Sequence, residues 1–148
     1  MNLRIAALAA VLLAGSAVAG DEADRAKLMG SWKLADSGKD GPTWVLQDKG
    51  GVIHVVNSRG ATVLEEFDCD TFGHESVVKV NGRPTTVSLW FVGAKLVEME
   101  TRGTSVLKRT FGLGKESDTM DLELTQIAPS SKTEIQHFER MPAASPGR

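Results

Sequence analysis

The sequence predicts an all-β domain, a single antiparallel up-and-down barrel of about eight to ten strands, and three observations favour it. Glycines recur at steps of about ten residues between Gly50 and Gly114, the spacing expected when tight turns join short strands. The segments between them are rich in Val, Leu, Ile, Thr and aromatic residues, which suit a half-buried strand. No long stretch beyond the N-terminus has a convincing helical stripe of apolar residues.

Closure of the sheet follows from the number of strands. An open sheet would leave two exposed edges, which favour aggregation, whereas a closed barrel has none. A barrel of about eight strands encloses packed side chains or one small ligand. A β-sandwich is the alternative, because its strand number and turn spacing are similar, although sandwiches usually need longer crossing connections.

The N-terminus has the composition of a secretory signal peptide. Basic Met1–Arg4 leads into the apolar run Ile5–Leu13 and then into Ala17-Val18-Ala19, an A-x-A cleavage site. The apolar run is too short for a membrane span of about 20 residues. We therefore expect residues 1–19 to be removed on export and the protein to be periplasmic or secreted.

The remaining chain is long enough for one domain with one core. Without Arg4, sixteen basic residues face nineteen acidic ones, and this negative balance argues against a nucleic-acid partner. Cys69 is the only cysteine, which excludes an intramolecular disulfide. A small buried hydrophobe is the expected state of Cys69, with a reactive thiol or an intermolecular bridge as alternatives. We expect the barrel domain at residues 20–140 and a disordered tail, poor in apolar residues, at 141–148.

The elements are predicted in chain order as a helical turn at 22–29, a strand at Trp32, a strand from Trp44, and strands at 52–56, 61–67, 75–80, 84–91, 94–101, 104–111, 117–127 and 133–140. Alternation is clearest where Val87, Leu89 and Phe91 share one face of a strand, and where Met120, Leu122 and Leu124 share another. Asn81-Gly82 is the strongest hairpin signal, because a type I′ turn needs positive φ at both central residues.

The first predicted strand carries a family resemblance. Gly30-Ser31-Trp32 resembles the Gly-x-Trp signature of lipocalins and related calycin barrels, and the run from Gly30 to Arg140 is similar to small secreted bacterial lipocalin-like proteins of mostly undefined role. In such barrels the tryptophan closes the floor and a late arginine stacks over it, a role that the resemblance gives to Trp32 and Arg140. An indole and a guanidinium in that arrangement make a cation–π contact.

The resemblance does not extend to every signature of these families. The Thr-Asp-Tyr motif of lipocalins is missing, and the chain has no tyrosine. Fatty-acid-binding barrels usually end with an Arg-x-Tyr pair that holds a carboxylate, and Gln136 and Phe138 occupy the matching positions here.

Arg109 is a second candidate for holding a carboxylate. It lies between Leu107 and Phe111 on one alternating face and could point inward to bind an acid. The simpler interpretation is a surface arginine opposite Glu98 or Glu100 on the preceding strand. The residues predicted to line a ligand site inside the barrel are Val87, Leu89, Phe91, Arg109, Leu122 and Leu124.

Titratable side chains concentrate between residues 68 and 75. Asp68, Cys69, Asp70 and His74 could ligate zinc or copper, but their spacing matches no established metal motif, and a solvated turn is the simpler interpretation. Glu65 and Glu66 point to opposite faces of a strand, and Glu98 and Glu100 are expected on an outer face. We therefore predict no metal site and no cofactor.

Three functional classes remain open. The first is a noncatalytic extracytoplasmic barrel that binds a small apolar or amphiphilic ligand. The second is a protein-binding barrel similar to periplasmic protease inhibitors, with Asp21–Met29 as the inhibitory arm. The third is a metal-dependent enzyme or metal-binding protein, which is disfavoured because no catalytic motif is present.

Overall fold

The computed structural model describes residues 15–142, with side chains from residue 20 onwards. One helix, α1 (Gly15–Leu28), precedes ten strands in this range. The strands are β1 (Gly30–Leu34), β2 (Pro42–Asp48), β3 (Val52–Arg59), β4 (Thr62–Asp70), β5 (Ser76–Val80), β6 (Arg83–Val92), β7 (Lys95–Arg102), β8 (Ser105–Leu113), β9 (Thr119–Ala128) and β10 (Lys132–Arg140). Residues 1–14 of the predicted signal peptide and residues 143–148 of the predicted disordered tail lie outside the described residues.

The ten strands close into one antiparallel barrel. Each strand pairs with its neighbours in sequence, and β1 completes the ring by pairing with both β2 and β10. The register sets Trp32 of β1 opposite Trp44 on one side and Arg140 on the other. The predicted up-and-down barrel is therefore confirmed, and the sandwich alternative is wrong.

The predicted hairpin at Asn81-Gly82 is present between β5 and β6. Both residues have positive φ, 51° and 74°, and Val80 pairs with Arg83 across the turn. Glycine adopts this conformation without steric strain, and asparagine tolerates it better than most residues.

Successive strands alternate in direction, so the connections gather at two ends of the barrel. The helix end lies beside α1 and carries the connections at residues 49–51, 71–75, 93–94 and 114–118. The far end carries those at 35–41, 60–61, 81–82, 103–104 and 129–131.

The sheet is weakest between β4 and β5, where a single residue pair, Glu65 with Val80, joins the strands. The connection after β4 instead lies along β6, where the Gly73 N–H donates to the Leu89 carbonyl at 2.9 Å. Residues 68–70 pair with β3 and finish β4, so the turn predicted between residues 68 and 75 is present only from residue 71 onwards. The pairing with β3 extends this strand beyond what its polar sequence indicates.

The helix α1 packs against the barrel that follows it. Arg25 Nε donates to the Gly93 carbonyl at 2.7 Å, the Arg25 guanidinium carbon lies 4.6 Å from the centre of the Phe91 ring, and Leu28 is fully buried. The segment Asp21–Met29, considered above as an inhibitory arm, is therefore folded back onto its own barrel. Between residues 15 and 142, no helix combines the length and the apolar character needed to cross a membrane.

Candidate functional site

Trp32 and Arg140 meet at the helix end. Trp32 is fully buried, its Nε1 donates to the Leu28 carbonyl at 2.9 Å, and the Arg140 guanidinium carbon lies 4.2 Å from the centre of its ring. Arg140 Nη1 donates to the Met29 carbonyl at 3.0 Å, and its Nη2 donates to the Lys27 carbonyl. This arrangement joins the end of α1, the first strand and the last strand at one point.

The apolar residues predicted to line a ligand site all contribute to the barrel core. Val87, Leu89 and Leu122 are at most 1% exposed, and Phe91 and Leu124 pack against them as partly buried neighbours. The middle of the barrel is therefore filled by side chains at these positions. Their role in ligand binding stays a prediction.

Arg109 points into the barrel, not to its surface. Arg109 lies opposite Glu98 in the register of β7 and β8, as the surface-arginine interpretation expected. Both side chains are nevertheless buried, so this interpretation is wrong about exposure. Arg109 Nη1 donates to Glu98 Oε1 at 2.7 Å and to Glu100 Oε2 at 2.6 Å, and it lies 3.9 Å from Glu65 Oε2. The Arg109 guanidinium carbon also lies 5.1 Å from the centre of the Trp44 ring. We call Glu65, Glu98, Glu100 and Arg109 the buried charge cluster.

The prediction that Glu98 and Glu100 face outward is wrong. The alternation that places Leu96 in the core also places these two glutamates inside the barrel. Glu65 and Glu66 do point to opposite faces, and Glu65 is the buried one. The sequence signal for the cluster is the shared face of Leu96, Glu98 and Glu100, but this alternation alone does not show that the face lies inside the barrel.

Burial dominates the electrostatics of the buried charge cluster. Burial, reinforced by the Glu98 charge and opposed by Arg109, raises the pKa of Glu65 to about 8. Burial also raises the pKa of Glu98. For Arg109, burial alone would lower the pKa, but the three carboxylates outweigh burial and raise it well above its ordinary value. The guanidinium is therefore permanently charged, whereas Glu65 holds a proton at neutral pH.

The Glu65 proton links the Glu65 and Glu98 carboxyl groups by a hydrogen bond, whereas Arg109 Nε is buried without a hydrogen-bond partner. Beside them, at the far end, lies a cavity of about 340 Å³. We call it the far-end cavity; its polar lining consists of Asn57, Glu65, Asn81, Glu100, Arg102, Ser105 and Arg109. Glu65, Glu100 and Arg109 of the cluster therefore line the wall of a polar chamber.

A larger cleft opens at the helix end, between α1 and the barrel. This helix-end cleft has a volume of about 810 Å³. Its apolar side chains include Met29, Leu46, Ile53 and Phe91, of which Leu46 and Ile53 are almost fully buried and form the floor. Charged residues of both signs, Glu22, Arg25, Asp48 and Lys49, also line it.

The candidate metal ligands between residues 68 and 74 do not come together. Cys69 is buried in the core, whereas Asp68 bonds to His54 Nδ1 at 2.6 Å and Asp70 bonds to His74 Nδ1 at 2.9 Å. Burial raises the pKa of the Cys69 thiol, in keeping with a small buried hydrophobe. Within residues 15–142, the group of three potential metal ligands that does converge consists of Glu65, Glu98 and Glu100.

Comparison with known proteins identifies the fold and no family. No protein-family profile matches the sequence, and no curated protein matches it. Solved structures do resemble it: a fatty-acid-binding protein of Schistosoma mansoni in complex with arachidonic acid is 18% identical, with a TM-score of 0.62 over 80% of this chain and 99% of that chain. Apo lipid binding protein 8 of Caenorhabditis elegans is 13% identical, with a TM-score of 0.63 over 78% and 96% of the two chains.

A third match comes from a protein with a different description. Secretory abundant heat soluble protein 4 of Ramazzottius varieornatus is 13% identical, with a TM-score of 0.64 over 78% of this chain and 95% of that chain. At such low identities the likeness concerns the fold alone. The molecule is therefore a closed ten-stranded barrel of the shape found in fatty-acid-binding proteins, which confirms the predicted fold, whereas the resemblance to a lipocalin-like family stays a prediction.

Proposed function

We propose that this protein is a noncatalytic binding barrel that holds one small apolar or amphiphilic molecule in the helix-end cleft. The observation that carries the proposal is the cleft itself: an apolar floor of Leu46 and Ile53 beside Phe91, with charged side chains around it. Ligand sites are typically concave, mostly apolar and about 300 to 1,000 Å³ in volume, with a few polar groups that orient the ligand. The cleft has this size and composition.

We place the ligand in the cleft because side chains already fill the interior of the barrel. A ligand among Val87, Leu89 and Leu122 would have to displace fully buried side chains, and close-packed cores resist such insertion. In the cleft, a ligand covers Phe91 and the floor residues without disturbing the core. An amphiphile places its chain against this floor and its polar head among Arg25, Lys49 and their acidic neighbours.

The proposal extends to a protein that acts outside the cytoplasm after removal of residues 1–19. All α1 residues that line the cleft, Glu22, Arg25 and Ala26, follow the predicted cleavage site. The exported form would therefore keep the complete cleft. The arachidonic acid in the S. mansoni barrel is consistent with an amphiphilic ligand for this fold.

Two alanines of α1 allow a matched test of the location. Ala26 lines the cleft and Ala23 does not, although both are exposed and lie three residues apart on the same helix. Ala26→Trp should fill the cleft, whereas Ala23→Trp adds the same side chain to its outside. Delipidated protein is titrated by calorimetry with fatty acids, isoprenoids and aromatic acids.

We expect at least one of these compounds to bind the parent protein at micromolar strength, about −8 kcal/mol. Ala26→Trp should weaken that binding at least tenfold, and Ala23→Trp should leave it within twofold. Equal affinities for the two variants would refute the cleft as the binding site. Absence of binding across the panel, with no ligand co-purifying in native mass spectrometry, would refute the function.

A further inference from the structure

We propose that Arg25 of α1 binds an anionic head group, so that the helix-end cleft selects negatively charged amphiphiles over neutral and cationic ones. This inference rests on the proposed binding of an amphiphile in the cleft and names the chemical class of that ligand. It also assigns the residue that determines specificity to α1, which lies outside the ring of strands.

The Arg25 guanidinium is held in position by two contacts with the barrel. Its Nε donates to the Gly93 carbonyl at 2.7 Å, and its central carbon lies 4.6 Å from the centre of the Phe91 ring. A group held in this way loses little further freedom when a ligand binds, so less binding free energy is spent on ordering it. Because Phe91 also lines the cleft, the guanidinium lies next to the apolar surface that would hold the ligand chain.

The Nη1 and Nη2 atoms of Arg25 remain available to a ligand. Within the part of the chain that the structure describes, Arg25 forms no ion pair, and its hydrogen bond is made through Nε. Asp24, its neighbour on α1, lies instead 3.9 Å from Lys27 Nζ. The guanidinium is a planar fork whose N–H groups match the oxygens of a carboxylate or a similar anion. The free end of Arg25 can therefore donate two hydrogen bonds to one anionic head group.

Arg25 is the least exposed of the charged residues that line the cleft. It is half-buried, whereas the other three are exposed: Glu22, Asp48 and Lys49. Solvent screens exposed charges, and a partly desolvated charge interacts more strongly with a bound ion. Asp48 Oδ1 also accepts a hydrogen bond from the Gly51 N–H at 2.9 Å, within its own turn. The electrostatic preference of the cleft therefore follows Arg25 and favours a negative ligand charge.

The test compares ligands that share one alkyl chain and differ in the charge of the head group. Decanoate, decyl sulfate, decan-1-ol and decylammonium are titrated by calorimetry at neutral pH into delipidated protein. Arg25→Met removes the charge and keeps an unbranched side chain, and Arg25→Lys keeps the charge without the planar fork. Lys27→Met is the matched control, because it removes an exposed charge of the same helix that does not line the cleft.

We expect the parent protein and Lys27→Met to bind the two anions at least tenfold more tightly than decan-1-ol, with decylammonium the weakest ligand. Arg25→Met should lose this preference while its affinity for decan-1-ol stays within twofold of the parent, and Arg25→Lys should keep part of the preference. A change in the shape of the cleft alone would alter the affinities for anion and alcohol alike. The ratio of the two affinities therefore reports the contact with the head group.

Parent protein that binds decan-1-ol as tightly as the anions would overturn the role of Arg25 and leave the proposed function in place, whether or not the variants fold. An anion preference that survives in Arg25→Met, or that is lost equally in Lys27→Met, would also overturn this role. Absence of binding of all four compounds to the parent protein would refute the proposed function itself, and this inference with it.

Discussion

The guanidinium carbon of Arg140, on the last strand, lies 4.2 Å from the centre of the Trp32 ring, on the first strand. The same arginine donates hydrogen bonds to carbonyls at the end of α1 and, through Nε, to Asp118 at 3.1 Å. The contact therefore joins both ends of the barrel sequence and the connection between β8 and β9. This arrangement fastens α1 to the first and last strands at the helix end.

Removal of the Trp32 side chain should destabilise the fold strongly. Trp32→Ala leaves a large cavity between α1 and the core, and we expect a loss of about 3 to 5 kcal/mol in the free energy of unfolding. Trp90→Ala, on the partly exposed outer face, is the control and should lose less. Chemical denaturation measures both variants, and a separate thermal scan gives their melting temperatures. A Trp32→Ala melting temperature within a few degrees of the parent would show that this contact is unimportant.

Arg109 should be essential to the barrel because it compensates three buried carboxylates. Arg109→Met leaves Glu98 without a cationic partner in the interior, and breaking a buried ion pair from one side typically costs about 3 to 5 kcal/mol. Arg102→Met, in the same region but partly exposed, should cost less than about 1 kcal/mol. Urea denaturation at pH 8 compares them, and equal stabilities would contradict the compensating role.

The stability of the protein should depend on pH through Glu65. Its pKa is about 8 in the folded state and near 4.5 in the unfolded chain, so between these values the folded state holds an extra proton. The free energy of unfolding should therefore fall as pH rises from about 4.5 to 8, by roughly 2 to 4 kcal/mol, and level off above pH 8.

Chemical denaturation across this pH range measures the slope. Glu65→Gln should make the curve shallower, leaving the contribution of Glu98, whose pKa is raised in the same direction. A stability that rises between pH 5 and pH 8 would show that Glu65 is not protonated in the folded barrel.

Export should remove the first nineteen residues. The motif Ala17-Val18-Ala19 predicts a new N-terminus at Gly20, within the helix that the full chain forms from Gly15. Mass spectrometry of exported protein measures the cleavage site directly. An exported chain that still begins at Met1 would contradict the prediction.

Turns and strands of the barrel were predictable because their signals are local. The Asn81-Gly82 turn and the alternation along β6 depend on a few consecutive residues, and both predictions are confirmed. The end of β4 was not predictable in this way. Asp68 and Asp70 are polar and precede Gly73, and it is their pairing with β3 that keeps them in the strand.

The buried charge cluster shows a different limit of the sequence. Alternation reveals that Glu98 shares a face with Leu96, but it does not reveal which face of the strand is inside. Charged residues are rarely buried unless they are paired. The compensation becomes visible only when the register of β7 and β8 sets Arg109 opposite Glu98, and when closure of the barrel brings Glu65 to the same place.

The proposed ligand site can be located directly by nuclear magnetic resonance of methyl groups during a titration with dodecanoate. We predict saturable shifts for methyls of Met29, Leu46 and Ile53 at the helix-end cleft, and little change for Leu107 at the far end. Saturable shifts centred on Leu107, or no saturable shift at any methyl group, would contradict a binding barrel that holds an amphiphile between α1 and the sheet.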